Sequence, residues 1–186
     1  PCSATSRTFS ATSSVSCPPQ RVIFFGASGG GFASLFYSHG FPGSVALSIN
    51  PQTNLANYTP TAVSDYILKA WNATSLKEVP IVSDLGALYR DGFPNTIYLM
   101  QNMLDGHHRD RHLAPWMRTV PSGSERMNLL MNKWGKGHAP PPSSLIKNVL
   151  TAIVFENKTE LSTLGFINGP ASNAPARLYR AYRDNR

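Results

Sequence analysis

A glycine cluster between an apolar run and a helical pattern restricts the fold of this chain more than any other feature. Residues 22–25, VIFF, form a short and fully apolar run that suits a strand buried on both faces. The cluster GASGGG follows at residues 26–31, and apolar residues at helical spacing continue over residues 32–37. A strand that turns sharply into a helix through glycine residues is typical of α/β proteins.

The rest of the chain body alternates between apolar runs and helical patterns in the same way. Three further runs predict strands, at residues 45–49, 96–100 and 127–131. A helix is predicted over residues 61–71, where apolar residues recur at spacings of three and four. A second helix is predicted after three prolines, with Ser143 as its expected cap. We therefore predict an α/β fold with a mostly parallel sheet of about four strands and flanking helices.

The two ends of the chain differ in composition from this body. Residues 1–20 are rich in Ser, Thr, Ala and Pro and have no periodicity, which predicts a disordered low-complexity segment. The helical pattern fades after Asn157, and four of the last ten residues are arginine. These changes predict one domain over residues 21–157 and a basic C-terminal tail over residues 158–186.

Charge and cysteine content exclude several classes of protein. The 186-residue chain has a net charge of +7, but four of its 17 Lys and Arg residues lie in the last ten positions and the others are scattered. We therefore do not expect nucleic acid as the partner. Cys2 and Cys17 precede the body, which excludes a disulfide framework or a cysteine zinc site there. No apolar stretch predicts a membrane span and no signal-peptide pattern is visible, so the cytoplasm is the expected location.

The glycine cluster also predicts a catalytic nucleophile. Gly26-Ala-Ser28-Gly-Gly30 is a Gly-x-Ser-x-Gly sequence between a strand and a helix, which is the pattern of a nucleophile elbow. In such a turn the hydroxyl of Ser28 projects above the sheet, and the N–H of Gly29 at the helix N-terminus donates to an oxyanion. A phosphate-binding turn or a purely structural turn is the alternative interpretation of these residues.

An acid and a base follow the third and fourth predicted strands. Asp105 and His138 come after Ser28 in the chain order nucleophile, acid, base. Because functional groups gather at the carboxyl ends of parallel strands, we expect the three side chains to meet. His138 then accepts the proton of Ser28, and an ionised Asp105 orients the imidazole. Asp110 is an alternative acid, and His138 is also compatible with a loop histidine that has no catalytic part.

The histidines His107, His108 and His112 raise the question of a metal site. The metalloprotease pattern requires Glu directly after the first histidine of the pair, whereas Arg109 follows His108. The positive charges of Arg109 and Arg111 also disfavour a cation. We therefore predict no metal, and place this segment in a solvated helix or in the wall of the substrate pocket.

With these residues in view, the chain body resembles the α/β-hydrolase superfamily. More narrowly, it is similar to bacterial α/β-hydrolase-type proteins found alongside glycosyltransferases and surface-polysaccharide genes. The segments that carry this resemblance are residues 24–35 (FFGASGGGFASL), 49–54 (INPQTN), 101–108 (QNMLDGHH) and 135–141 (GKGHAPP). The resemblance covers residues 21–154 and implies a triad of Ser28, Asp105 and His138 that needs no cofactor. Substrate contacts are expected for Asn50, Gln52, His108 and Trp134, with packing beside the His138 loop as the alternative for Trp134.

The chain departs from that superfamily before the nucleophile strand. A complete α/β-hydrolase has several strands there, and one of their loops provides a second oxyanion donor. Only twenty low-complexity residues precede Arg21, so the chain is expected to correspond to the C-terminal part of such a fold. The missing neighbours predict an exposed sheet edge, through which the chain could self-associate.

The functional expectation is a serine hydrolase of the esterase or deacylase type, which cleaves acylated sugars, glycans or similar small esters through an acyl-enzyme. An acyltransferase that uses the same triad is one alternative. A truncated, inactive fragment that serves as a binding module is another, and an RNA-binding protein, which rests on charge alone, ranks last.

Overall fold

A five-stranded sheet forms the centre of the part of the chain that the computed structural model describes, residues 21–121 and 124–168. Its strands are β1 (Ile23–Ala27), β2 (Val45–Ile49), β3 (Thr96–Asn102), β4 (Met127–Asn132) and β5 (Ile167–Asn168). They lie side by side in chain order; β1 to β4 are parallel, and β5 runs antiparallel to β4. The fold is thus α/β with a mostly parallel sheet, and the four predicted strands are all present.

Helices cover both faces of the sheet. They are α1 (Gly29–His39), α2 (Pro60–Trp71), α3 (Leu85–Tyr89), α4 (Gly106–His108), α5 (Ala114–Met117), α6 (Ser143–Val154) and α7 (Lys158–Thr163), with a 3₁₀ turn at Leu55–Asn57 and a π turn at Arg109–Leu113. None of the helices in the described ranges is long and apolar enough to cross a bilayer.

Two apolar clusters, one on each face, explain why the central strands read as continuous apolar runs. Along β2, Ala46 belongs to the cluster that includes α1, α3 and α5, while Val45 and Leu47 belong to the cluster that includes α6 and α7. Because successive side chains of a strand point to opposite faces, both faces of β2 require apolar residues. The burial of all five β2 residues follows from this arrangement.

The prediction that the first strand is buried on both faces is wrong. In the described residues β1 pairs only with β2 and forms the edge of the sheet. Its residues are partly exposed, and Phe25 is 51% accessible to solvent. An apolar run has the same composition at an edge as at the centre of a sheet, so the run alone could not distinguish the two. Self-association through this edge stays a prediction.

The predicted domain boundary at residue 157 is also corrected. Helix α7 and strand β5 continue the fold as far as Asn168, and Leu161 and Phe166 are buried in the cluster beneath α6. The ring of Phe166 packs edge-on against Tyr98 of β3, with ring centroids 5.3 Å apart. Ser143 is the first residue of α6 rather than its cap, because Pro142 occupies the cap position.

Three sequence predictions lie outside the described residues. They concern the low-complexity segment 1–20 with its two cysteines, the remainder of the basic tail after Asn168, and its four arginines.

Candidate active site

Ser28 occupies a strained turn between β1 and α1. Its φ of 55° and ψ of −117° are unusual for a residue with a side chain, and α1 begins at the next residue. A Cβ atom on Gly26 would lie 2.2 Å from the carbonyl oxygen of Gly30, and one on Gly31 would lie 2.9 Å from Oγ of Ser48. Glycine is therefore required at positions 26 and 31 by close approach of the backbone. The sharp strand-to-helix turn expected from the sequence is formed.

The backbone N–H of Gly29 lies next to the Ser28 side chain. Gly29 is the first residue of the eleven-residue helix α1 and is exposed. The first N–H groups of a helix have no partner within the helix, and the helix dipole places partial positive charge at this end. This N–H group is therefore suited to bind a developing negative charge on a substrate oxygen.

Asp105 and His138 form a direct pair. Oδ2 of Asp105 lies 2.5 Å from Nδ1 of His138, and Oδ1 accepts the backbone N–H of His108 at 3.1 Å. Asp105 is only 3% exposed, whereas the side chain of His138 is 41% exposed. Burial raises the pKa of the Asp105 carboxyl, but the hydrogen bonds from His138 and His108 outweigh it and bring the pKa below its ordinary value. An ionised carboxylate can only accept, so Nδ1 of His138 carries the proton.

A second imidazole contacts the same carboxylate. Nδ1 of His108 lies 2.8 Å from Oδ2 of Asp105, although the two atoms do not form a hydrogen bond. The ring of His108 stacks on that of His138, with centroids 4.0 Å apart and planes 18° apart. Burial lowers the pKa of His108 although Asp105 opposes the shift, and the neighbouring His138 lowers it further. His108 is therefore held neutral, with its Nε2 available as an acceptor.

Gln52 connects this acid–imidazole group to the serine. Its Nε2 donates to Oγ of Ser28 at 2.9 Å and lies 3.5 Å from Nε2 of His108. The side chain is buried, at 3% exposure, just beyond the carboxyl end of β2. The two amide hydrogens can thus serve Ser28 and His108 at once, which leaves the hydroxyl proton of Ser28 free for a base.

The three predicted catalytic residues lie at one site, but only two of them are in direct contact. Asp105 and His138 are hydrogen bonded, whereas Ser28 reaches Asp105 through Gln52 and His108. Among the described residues no hydrogen bond joins Ser28 to His138. Catalytic hydrogen bonds are often long in the absence of substrate and tighten in the complex, so this separation is compatible with a triad.

Asn102, whose importance the sequence analysis missed, holds the loop that carries His138. Its Nδ2 donates to the carbonyl oxygens of Gly135 and Gly137, at 2.7 and 2.9 Å. Its Oδ1 accepts the N–H groups of Leu104 and Trp134, both at 3.2 Å. The available signal was its position at the carboxyl end of a predicted strand, next to the residues assigned to catalysis.

Two residues expected to contact substrate have structural roles instead. Asn50 is buried; its Nδ2 donates to the carbonyl oxygen of Ala139 at 3.1 Å, and its Oδ1 accepts the N–H of Asn102 at 2.7 Å. Trp134 packs on the cluster beneath α6, as the alternative interpretation had it. Burial and engaged amide groups argue against direct substrate contact by Asn50. Gln52 and His108 do lie at the site.

Asp105, His108 and His138 also offer one ligand atom each within 4.8 Å of one another, which is compatible with a metal site. A zinc ion bound at about 2 Å to two ligand atoms holds them about 3 Å or more apart. The 2.5 Å contact between Asp105 and His138 is shorter than that. The arrangement favours hydrogen bonding, and the prediction of a metal-free site stays a prediction.

Buried histidines behind the site predict acid sensitivity of the fold. His112 is fully buried beside His107 and His108, and its Nδ1 accepts the N–H of Thr53 at 3.2 Å. Burial lowers the pKa of His112 to about 4; His108, His107 and Arg111 lower it as well, and Asp105 opposes them.

Between pH 6.5 and pH 4 the unfolded chain binds a proton at His112 that the folded chain does not, so the free energy of unfolding decreases as the pH falls. We expect His112 to account for a loss of up to about 3 kcal/mol across this range. Urea unfolding at neutral and acidic pH measures it. His112→Asn, which can keep the acceptor for Thr53, should reduce the pH dependence and leave that of His108 and, near the acid end, that of carboxyls with a lowered pKa such as Asp105. An unchanged pH dependence in this variant would contradict the assignment.

Comparison of the chain with protein-family models, with curated proteins and with solved structures finds no match. Functional inference for this chain therefore rests on the residues and geometry of the site.

Proposed function

We propose that this chain is a serine hydrolase of the esterase or deacylase type, related to the α/β-hydrolases, in which Ser28, Asp105 and His138 act as nucleophile, acid and base. The observation that carries the proposal is the position of Ser28. It lies in a strained strand-to-helix turn, where the Gln52 amide joins it to His108. His108 in turn contacts the buried carboxylate of Asp105, which also pairs with His138. Strained non-glycine residues and buried acid–imidazole pairs are concentrated at active sites.

His138 rather than His108 is assigned as the base. Nε2 of His108 faces the amide of Gln52, whereas no hydrogen bond within the described residues occupies Nε2 of His138. During attack, Nε2 of His138 takes the proton from Oγ of Ser28 as Oγ bonds to the acyl carbon. Collapse of the tetrahedral intermediate breaks the bond to the alkoxide, which receives this proton from His138. Water then attacks the acyl-enzyme by the same route and releases the acid and Ser28.

Gly29 and Gln52 are assigned as the donors to the oxyanion. The expected Cβ position of Gly29 lies 3.4 Å from Oε1 of Gln52, so the Gln52 amide group is adjacent to the helix N-terminus. Nε2 of Gln52 lies 2.9 Å from Oγ of Ser28, and in this proposal the substrate oxygen accepts from it and from the Gly29 N–H once Oγ is bonded to the acyl carbon. Glutamine side chains and backbone N–H groups are common oxyanion donors. In this proposal Gln52 is the second donor to the oxyanion.

The alternative function is that of an acyltransferase. An acyltransferase uses the same three residues and differs in the acceptor of the acyl group, which is a sugar hydroxyl instead of water. Acylated sugars or glycans remain the proposed source of the ester.

Labelling with a fluorophosphonate probe tests the proposed function. We expect stoichiometric modification of wild-type protein, located at Ser28 by peptide mass spectrometry, and loss of the label after heat denaturation. Ser28→Ala should not label. Ser34 lies in α1, and its buried hydroxyl donates to the carbonyl oxygen of Gly31. Ser34→Ala removes this hydroxyl and should label like the wild type. Absence of labelling in a folded sample, or labelling at another serine, contradicts the proposal.

A further inference from the structure

An apolar cavity opens beside Ser28. It has a volume of about 390 Å³ and lies between α1, the 3₁₀ turn and α2. Ser28, Gly29 and Gln52 line it where it meets the catalytic residues. The remaining wall is mostly aliphatic and aromatic, with Phe32, Phe36, Leu55, Tyr58, Val63 and Tyr66 among its residues.

The chemistry of this wall restricts what can bind. No Asp, Glu, Lys, Arg or His side chain of the described residues lines the cavity. A sugar ring needs hydrogen bonds for each hydroxyl that it buries, and unpaired hydroxyls are costly to remove from water. An apolar group gains free energy from the same transfer. The volume lies within the range of pockets that bind small organic ligands.

The relation of the cavity to His138 determines which half of an ester it receives. The base that protonates the leaving alkoxide must contact it, and His138 has that role in the proposed mechanism. Neither His138 nor Asp105 lines the cavity, whereas Gly29, which is assigned to the oxyanion, does. The leaving group therefore lies on the exposed side of the site with His138, and the acyl group lies on the cavity side.

We propose that this cavity binds the acyl chain of the substrate, and that the preferred substrates are esters of medium-length aliphatic acids with a polar alcohol. The inference rests on the proposed hydrolase function and adds the class of acyl group to it. An exposed His138 leaves room for a polar alcohol such as a sugar on the solvent side. Acetyl esters, which fill little of the cavity, are expected to be poor substrates by comparison.

A series of p-nitrophenyl esters, from acetate through butyrate and hexanoate to octanoate, tests this inference. We expect kcat/KM to rise about threefold to fourfold for each methylene until the cavity is filled. Val63→Trp, which places bulk in the wall from α2, should remove the gain for octanoate and lower kcat/KM for octanoate much more than for acetate. Ala33→Leu fills the cavity from α1 and provides a second variant if Val63→Trp fails to fold. Leu68→Trp, on the exposed side of α2, is the matched control and should behave like the wild type.

Two experiments distinguish a failure of this inference from a failure of the proposed function. The acyl-chain inference is overturned if kcat/KM does not increase with chain length, or if Val63→Trp slows all esters equally. If fluorophosphonate still labels Ser28 in that case, the proposed hydrolase function stands. Binding of octanoate and acetate to Ser28→Ala, measured by calorimetry, tests the cavity without catalysis. Tighter binding of octanoate that Val63→Trp removes supports the acyl-chain site even if Ser28 does not label, and equal binding of the two anions overturns it.

Discussion

Replacement of Ser28 by glycine is expected to abolish ester hydrolysis and, at the same time, to stabilise the fold. Loss of the nucleophile should reduce kcat at least about 10⁴-fold. The backbone at position 28 has a φ of 55° and a ψ of −117°, a conformation that costs a residue with a side chain about 1–3 kcal/mol. Glycine adopts it readily, although it loses part of the gain through the greater freedom of the unfolded chain.

Ser28→Ala provides the matched comparison, because it removes the hydroxyl but keeps a Cβ atom. We expect this variant to be as inactive as Ser28→Gly, and Ser28→Gly to exceed it by about 1 kcal/mol in the free energy of unfolding. Urea unfolding of the three proteins, followed by circular dichroism, measures the difference. A glycine variant less stable than the alanine variant would show that the turn stores no strain. Hydrolysis at the wild-type rate in either variant would remove Ser28 from the mechanism.

Loss of His138 is expected to have an effect of similar size, whereas loss of the stacked His108 should be milder. His138→Ala removes the proposed base and should reduce kcat about 10⁴-fold. His108→Phe retains an aromatic ring against His138 but removes the acceptor that faces Gln52. If His108 acts by positioning the Gln52 amide, its loss should cost about 10²-fold in kcat, comparable to removal of one oxyanion donor.

A double-mutant cycle tests this route directly. Gln52→Leu removes the amide that donates to Ser28 and should itself reduce kcat about 10²- to 10³-fold. If His108 acts through Gln52, the double variant with His108→Phe should be no slower than Gln52→Leu alone. Additive losses would indicate separate roles. A loss for His108→Phe as large as that for His138→Ala would instead identify His108 as the base.

Local patterns were sufficient to predict most of the secondary structure. The five-residue run at β2 and the helical spacing over α2 are signals contained within each segment. The glycine at position 26 is equally local, since the tight turn brings the backbone of Gly30 against any Cβ atom there, whereas the one at position 31 is required by contact with Ser48 and Pro51. The end of the domain was less predictable, because α7 is short and β5 has only two residues.

The predicted residues of the site followed from one general property of parallel sheets. Ser28, Asp105 and His138 each come after a different strand, and parallel strands place their carboxyl ends along the same edge. That property predicts proximity but not contact. The 2.5 Å contact of Asp105 with His138 depends on the loop that Asn102 and Asn50 hold in place.

The sequence by itself determined the order of strands and helices and the glycine-dependent turn at Ser28, because short-range spacing specifies both. It also determined which residues lie at one end of the sheet, because strand direction specifies that set. Tertiary structure alone decided that Gln52 donates to Ser28 and that His108 and His138 share Asp105. Those contacts join residues far apart in the chain. Their geometry is set by the packing of separate loops against one sheet edge, which no local pattern of residues encodes.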